Sequence, residues 1–441
     1  MKWFVIAVAL LAAGLILQLE LLVFAMYALL GVLLVSRLMT REWTAKVAAT
    51  RTCSTTTARI GDPAAIVIEL INRSRFAVPW LIIEEAFPLD ALKPPSRLKL
   101  TGRTTFIARL KGGERRAIRY SVEFLTRGYH QFGPLLIESG DLFGLHRRYR
   151  VLSAPVHVLV YPEVVPLRGY DIASRRPIGE IRMTHRLFED PTRIAGVRPY
   201  QSGDPLSRIH WRAFARTGSL HSKVYEPSCV AGATLLLEFH RQSFAGSESF
   251  WTEDLAITAA ASLANAVYEL GQQVGLITNG RDAAERIRTE GWRAAWTTRA
   301  DALNKFADRP PNEQLAPIVL PPQCGPEQLE RIHETLARIE QTDGFTFEGM
   351  IHEVAGRISR ETSVVAILVG VDRASARALG ELRRAGYAVT AVVVTRDVRE
   401  YREWAVPPEW AELLISEGIE FRPIDSREAL TELRAESLLA V

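Results

Sequence analysis

The residues best suited to chemistry crowd into the run Val197-Arg198-Pro199-Tyr200-Gln201-Ser202-Gly203-Asp204-Pro205-Leu206-Ser207-Arg208-Ile209-His210-Trp211-Arg212. Gly203-Asp204-Pro205 is turn chemistry. Asp204 is placed to cap a short helix that begins at Pro205 and sets Arg208, Trp211 and Arg212 on one side. Arginines around a Trp and a His make a surface for carboxylates or phosphates, and so for a partner or a peptide. The same residues allow two other uses. Asp204 paired with Arg198, Arg208 or Arg212, with Trp211 buried as packing, would clamp the segment onto a neighbouring domain. Alternatively His210, oriented by Asp204, would act as the general base of a hydrolase, although no nucleophile or bound group is identifiable beside them.

Other chemical signals fail on spacing. His333-Glu334 and His352-Glu353 open like a zinc-protease motif, but the second-histidine places are Ala337 and Gly356, so both pairs read as exposed helix residues. No G-x-S-x-G elbow, Walker loop or G-x-G-x-x-G fingerprint occurs, and any nucleotide energy has to come from a partner. Cys53, Cys229 and Cys324 are far apart, which excludes a disulfide framework and a cysteine zinc site and suits a reducing compartment. A net charge of +4 is mild, and no nucleic-acid-binding module is present. No catalytic residue, cofactor or metal is assigned.

Positioning such a segment requires an anchor and two domains. Trp3 to Leu17 and Leu21 to Ser36 are almost wholly apolar, separated by Gln18-Leu19-Glu20. One continuous helix over this stretch would run about 51 Å against a hydrocarbon core of about 30 Å, with Glu20 near its centre. Two short spans with Glu20 at the turn avoid both problems, so residues 3–36 read as a hairpin in the bilayer. A cleaved signal peptide fits poorly, because the apolar stretch is too long and lacks a clear small-x-small site. Lys2 on one side and Arg37, Arg41 and Lys46 on the other put both ends in the cytoplasm.

From Thr44 to about Tyr161 short strands are punctuated by Gly and Pro, and Ala117 to Phe124 alternates with period two. This pattern predicts a β-sandwich. The cluster His146 to Arg150 reads as a solvated loop able to touch anionic lipid if the sandwich lies against the membrane. Beyond Ala231 strand runs (233–237, 273–278, 364–371, 388–394) alternate with amphipathic helices, and Gly386 and Gly418 sit where helix C-caps belong. Such alternation predicts a mostly parallel sheet covered on both faces. Arg281 to Cys324 breaks the rhythm and reads as irregular. The expected division is 1–40 for the hairpin, 41–165 for the sandwich, 166–230 for the motif segment and 231–441 for the α/β domain. Residues 168–226 carry eleven Lys/Arg against six Asp/Glu.

The motif, extended through Ala215, Gly218, Lys223, Tyr225 and Glu226, resembles the signature of the bacterial domain-of-unknown-function 58 family. That resemblance implies two transmembrane helices, a strand-rich region with a turn like Asp141-Leu142-Phe143-Gly144-Leu145, and a von Willebrand factor A-like domain after the signature. The implied fold class is multidomain α+β: a transmembrane hairpin, a β-sandwich and a von Willebrand A-like, Rossmann-like α/β domain. It also implies a partnership with a MoxR-type AAA+ ATPase. The chain would then be a multi-pass inner-membrane (cytoplasmic-membrane) adaptor without catalysis of its own, coupling that ATPase to a client; a hydrolase around His210 is the alternative. Arg198, Tyr200, Gly203, Asp204, Arg208, His210, Trp211, Arg212, Lys223 and Glu226 are its expected working or structural positions. Metal-binding von Willebrand A domains carry Asp-x-Ser-x-Ser after the first strand; Glu238-Phe239-His240-Arg241-Gln242 stands there instead, without either serine and with an added arginine, so no metal is expected.

Overall fold

The computed structural model describes the chain apart from residues 1, 93, 95, 142–145, 168–188, 202–204, 228–231, 245–248, 291–315, 361, 396–406 and 432–441. The expected turn at 142–145 therefore lies outside the described residues, as do Cys229, Gly203 and Asp204.

Two apolar helices open the chain. α1 (Lys2–Ile16) and α2 (Glu20–Ala45) pack on each other across a turn in which Gln18 takes a positive φ of 54°. Glu20 opens α2, where the helix dipole favours a carboxylate. Among the described residues α2 alone is long and apolar enough to cross a bilayer, and only 11% of its most apolar window is buried. At about 1.5 Å per residue, the 15 residues of α1 reach about 22 Å.

α2 does not stop near Ser36 but runs five residues past the expected boundary at 40. Beyond the apolar span its inner stripe changes purpose: Met39 and Trp43 pack on the core of the following domain. Thr40 and Thr44 return their hydroxyls to the carbonyls of Ser36 (2.9 Å) and Thr40 (3.0 Å), which keeps them compatible with the helix. Arg150 then donates Nη1 to the carbonyls of Thr44 (2.9 Å) and Ala45 (2.7 Å), satisfying the helix C-terminus with a positive charge.

Eleven strands follow: β1 (Val47–Cys53), β2 (Thr57–Arg59), β3 (Pro63–Asn72), β4 (Val78–Glu85), β5 (Leu98–Thr101), β6 (Thr105–Leu110), β7 (Arg115–Phe124), β8 (Gly128–Phe132), β9 (Leu135–Gly140), β10 (Arg147–Ser153) and β11 (Val156–Tyr161), with a short helix α3 (Leu89–Leu92) after β4. Antiparallel sheets of order β1-β3-β7-β5 and β10-β9-β4-β6 share one core, and β2-β11-β8 closes its side. Alternation sets the faces: Ala64, Ile66, Ile68 and Leu70 of β3 point inward, with exposed or half-buried residues between them. One ion pair crosses this core. Arg51 of β1 meets Glu85 of β4 at 2.6 Å, with both side chains essentially inaccessible. Burial raises the Glu85 carboxyl to about 7, the Arg51 guanidinium opposing. Gly133 leaves room for that guanidinium, since a Cβ there would fall 2.4 Å from Arg51 Nη2 at a φ of +87°.

His146 to Arg150 is largely strand β10 rather than a loop. The run sits at a sheet edge, where exposed arginines on one strand are tolerated and discourage edge pairing.

After β11, Val164, Val165 and Leu167 already lie against the core of the C-terminal domain. The motif segment then contributes β12 (Glu189–Pro199), α4 (Trp211–Thr217) and β13 (His221–Pro227). The C-terminal domain comprises β14 (Gly232–Leu237), α5 (Ser249–Glu269), β15 (Gln273–Thr278), β16 (Arg281–Asp282), α6 (Ala283–Glu290), β17 (Ile318–Gln323), α7 (Pro326–Arg338), β18 (Ile339–Glu340), α8 (Phe347–Val354), β19 (Ser363–Leu368), α9 (Arg373–Arg384), β20 (Val389–Val394), α10 (Glu409–Ser416), β21 (Glu420–Ile424) and α11 (Arg427–Thr431).

Its main sheet has the order β17-β15-β14-β19-β20-β21, parallel except for β17. Leu235, Leu237, Val365 and Ile367 face α5, α7 and α11; Leu236, Val364, Ala366 and Leu368 face α8, α9 and α10. Both faces are covered, so the strands read as unbroken apolar runs. The stretch from Arg281 to Cys324 is not wholly irregular, because it holds β16, α6 and β17. Pro321 and Pro322 disguised β17, yet an edge strand admits proline since one row of N–H groups needs no partner.

Arg127, in the turn between β7 and β8, joins the two domains. Its Nη1 donates to the carbonyls of Leu336 (3.2 Å) and Ile339 (2.9 Å) at the end of α7, and its Nη2 to Glu253 at 2.8 Å. The guanidinium also lies 5.6 Å from the Phe239 ring centroid. It borders a cleft of about 410 Å³ between the sandwich and the α/β domain.

Candidate functional site

The motif folds as a two-stranded arm. β12 and β13 pair antiparallel from Pro199↔His221 outward, and the chain between them makes a 3-10 turn (Leu206–Arg208) and then α4. The principal contacts of these elements are with one another.

The helix expected from Pro205 is interrupted. Ile209 is extended, buried, and bridged to Ser222 of β13, and the His210 amide donates to the His221 carbonyl at 2.8 Å. An apolar side chain needing cover and a strand offering two backbone partners win over helix continuation. α4 restarts at Trp211 with His210 as its N-cap, and Gly218 ends it in the left-handed conformation at φ 70°.

His210 Nδ1 accepts the Ala213 amide at 3.0 Å. That ring nitrogen must be unprotonated, which places the proton of the neutral imidazole on Nε2. A histidine so held caps a helix, and its one basic lone pair is occupied.

The remaining positions separate by exposure. Trp211 is 62% exposed and stands edge-on to Phe214, with ring centroids 6.3 Å apart. The expectation of Trp211 as buried packing is thereby corrected, because the break at Ile209 turns α4 outward and Ile209 takes the buried place. Leu206 is 71% exposed, and Val197, Phe214 and Leu220 are also exposed. Arg212 and Arg216 of α4 are exposed too, without an ion-pair partner among the described residues. Arg198, Tyr200, Arg208 and Lys223 are half-buried within the arm; Arg198 donates to the Pro199 carbonyl, and the Tyr200 amide to that of Leu220. Glu226 lies in β13, its side chain outside the described residues, as are Gly203 and Asp204 entirely. Sequence reasoning missed Leu206, Phe214 and Arg216. Their signal was present in the apolar and basic residues flanking Trp211, but it was obscured by assuming one helix.

A second chemical feature lies where strand order reverses in the parallel sheet, beyond the carboxyl ends of β14 and β19. Glu238 is buried there and accepts a hydrogen bond from the Ser243 hydroxyl. Burial raises its carboxyl to about 7, with the Asp372 charge adding to the rise. Arg241 is drawn outward to Asp343 at 2.8 Å. Among the described residues no group of three or more His, Cys, Asp or Glu side chains is arranged to hold a metal ion. His333 is not the exposed residue expected: it faces Ala261 of α5, and burial lowers its basicity. His352 is exposed on α8 near Glu348.

Comparison with known proteins places the motif in context. The family described as "Protein of unknown function DUF58" matches residues 196–319. The chain is 22% identical over 260 residues to "Uncharacterized protein YeaD" of Bacillus subtilis (strain 168), a match covering 59% of this chain and 62% of that protein's length. Among solved structures, the CARDB domain of a Pyrococcus furiosus protein aligns with 26% of this chain and 94% of its own, at 12% identity and a TM-score of 0.17. The Bacillus subtilis sporulation control protein Spo0M aligns with 26% of this chain and 49% of its own, at 6% identity and a TM-score of 0.16.

Proposed function

We propose that this chain is a membrane-anchored adaptor whose signature arm docks a protein partner. The single observation carrying the reading is the exposure of Trp211, 62% open to solvent beside Arg212 and Arg216, which have no ion-pair partner among the described residues. Aromatic and arginine side chains gathered with exposed Leu206 and Phe214 have the composition of a binding hot spot. An isolated monomer would gain nothing from displaying them on an arm held by its own hairpin.

The resemblance to the domain-of-unknown-function 58 family supplies the partner: a MoxR-type AAA+ ATPase, with this chain linking it to a client at the membrane. The α/β domain is read as von Willebrand A-like and without bound metal; its sheet order and doubly covered faces support that reading. α1 and α2 together form a multi-pass anchor in the cytoplasmic membrane, with both domains on the cytoplasmic side. The apolar, little-buried surface of α2 and the basic residues flanking the hairpin support this placement.

Affinity capture of the detergent-solubilised full chain from its native membrane, with nucleotide present, tests the adaptor. Wild type should recover an AAA+ ATPase, and Trp211→Ala with Arg212→Ala should lose it by about a hundredfold, the scale of two moderate hot-spot truncations. Equal recovery by the folded double variant would overturn the assignment of the arm.

A further inference from the structure

Strand directions decide which end of the sandwich faces the apolar helices. β10 runs beside α2 and points the same way: His146 Nδ1 lies 3.2 Å from Ser36 Oγ, and further along Arg150 reaches the Thr44 and Ala45 carbonyls. β9 is antiparallel to β10 and β4 to β9, so β4 also points away from the apolar span. The turn before it, residues 73–77, therefore belongs to the end that α2 enters. There the Arg73 amide donates to the Lys46 carbonyl at 2.9 Å, just past α2. Residues 111–114, between β6 and β7, make a second turn at this end. They pack closely on the first, since a Cβ at Gly112 would fall 2.3 Å from the Arg75 carbonyl oxygen. β7 then runs 10 residues, about 33 Å, to the opposite end, where Arg127 holds the α/β domain. One end of the sandwich is thus turned to the α/β domain and the other to the anchor.

Register gives the depth. Ile82 pairs with Glu138, which sets Trp80 against Gly140, and Trp80 Nε1 donates to the Asp141 carbonyl at 3.4 Å. Asp141 in turn accepts the Ser36 hydroxyl at 2.5 Å, at the end of the apolar run. Trp80 is therefore level with that end of the run, and Phe76 lies beyond it on the bilayer side.

Phe76 is 57% exposed yet firmly presented. Its amide donates to Ser74 Oγ at 3.1 Å and its carbonyl accepts from Asn72 Nδ2 at 2.9 Å, with both Asn72 and Ser74 buried. On the same two turns and the start of β7 stand Arg73, Arg75, Lys111, Arg115 and Arg116. All are exposed, and none has an ion-pair partner among the described residues. The carboxylates of the adjoining stretches are engaged: Glu114 accepts the Lys111 amide at 2.6 Å, and Glu42 meets Lys46 at 2.7 Å. A fixed aromatic among unneutralised cations, at the depth where α2 emerges, matches phosphodiester headgroups over hydrocarbon.

We infer that this end of the sandwich docks on a bilayer surface rich in anionic phospholipid. Phe76 enters the boundary between headgroups and hydrocarbon, and the cations of the two turns and of β7 meet phosphodiesters on the surface around it. Docking fixes the sandwich, and with it the α/β domain held by Arg127, against the membrane. The inference rests on the membrane anchor proposed above and is independent of the arm's partner.

Photo-crosslinking to lipid tests it. The full chain carries a photoreactive amino acid at position 76 or, at the opposite end of the sandwich, in place of Leu125. It is reconstituted in nanodiscs of phosphatidylcholine with or without phosphatidylglycerol, and adducts are read by mass spectrometry. Position 76 should give a lipid adduct in phosphatidylglycerol discs, about tenfold weaker in phosphatidylcholine alone, and position 125 should give none. Arg115→Gln with Arg116→Gln leaves the Phe76 turn intact and should also weaken the position-76 adduct about tenfold, each charge near an anionic surface being worth up to about fivefold. No adduct at 76 from chain seated in the disc, or an adduct indifferent to lipid charge, would overturn the docking and leave the anchor standing. A position-76 adduct to protein instead of lipid in the native membrane would overturn it too, by giving this end to an acidic partner surface. Chain that fails to enter the discs would overturn the anchor and the docking together.

Discussion

Replacing Arg127 by alanine should uncouple the sandwich from the α/β domain, and the cost follows from what the guanidinium touches. It makes three hydrogen bonds, two to carbonyls at the end of α7 and one to Glu253, and its side chain is 5% exposed. Burial disfavours its charge, while Glu253 and Asp254 favour it. Truncation leaves the helix carbonyls without that donor and leaves the Glu253 carboxylate with Gln341 at 3.0 Å as its remaining described donor. Removing one member of a buried, hydrogen-bonded pair costs about 3–5 kcal/mol. Lysine retains the charge but cannot span carbonyls and carboxylate at once, so Arg127→Lys should recover less than half of the loss. The assay is urea unfolding of the detergent-solubilised chain followed by far-UV circular dichroism and by tryptophan fluorescence. In the wild type the two probes should report one coupled transition. In Arg127→Ala the transition should shift to lower urea and the probes should separate as the domains unfold independently. A shift below about 0.5 kcal/mol with the probes still coincident would refute this role, because surface substitutions have effects of that size.

Four further outcomes follow from the geometry. Arg51→Ala should destabilise the sandwich by about 3–5 kcal/mol in chemical unfolding, because it leaves Glu85 buried without its cation. Glu85→Gln with Arg51→Met should recover much of that loss, since the pair would be replaced by neutral groups. Glu238 binds its proton more tightly in the folded chain, at about 7, than an unfolded glutamate near 4.5, so its contribution to stability falls as pH rises from about 4.5 to 7 and is flat above. Glu238→Gln should remove a slope worth about 3 kcal/mol from the stability–pH curve over that window. His210→Ala should cost about 1 kcal/mol of arm stability through loss of the N-cap, measured by amide exchange of α4.

The regular parts of the fold were legible because periodicity records burial. β3 and β7 alternate since one face meets the core, and β14, β19 and β20 are continuous apolar runs since both faces do. Gly386 and Gly418 adopt φ of 94° and 68° at helix ends, as their spacing required. Edge strands were obscured because an edge relaxes the rules a strand is recognised by, admitting arginines in β10 and prolines in β17. The arm was legible as chemistry but not as shape. Whether the helix at Pro205 runs through Ile209 depends on a backbone partner, Ser222, that sequence distance hides. Arg127 gave no local signal, since a turn arginine acquires its role only when α7, far along the chain, arrives against it.

The most direct test of an adaptor arm is site-specific photo-crosslinking in the native membrane. A crosslinking amino acid is placed at Leu206 on the arm (71% exposed), and in parallel at Ile107 on β6 of the sandwich (77% exposed). Docking through the arm requires a nucleotide-dependent adduct with an AAA+ ATPase from position 206 and none from 107. An adduct from 107 alone, or none from either while intact chain sits in the membrane, would contradict it.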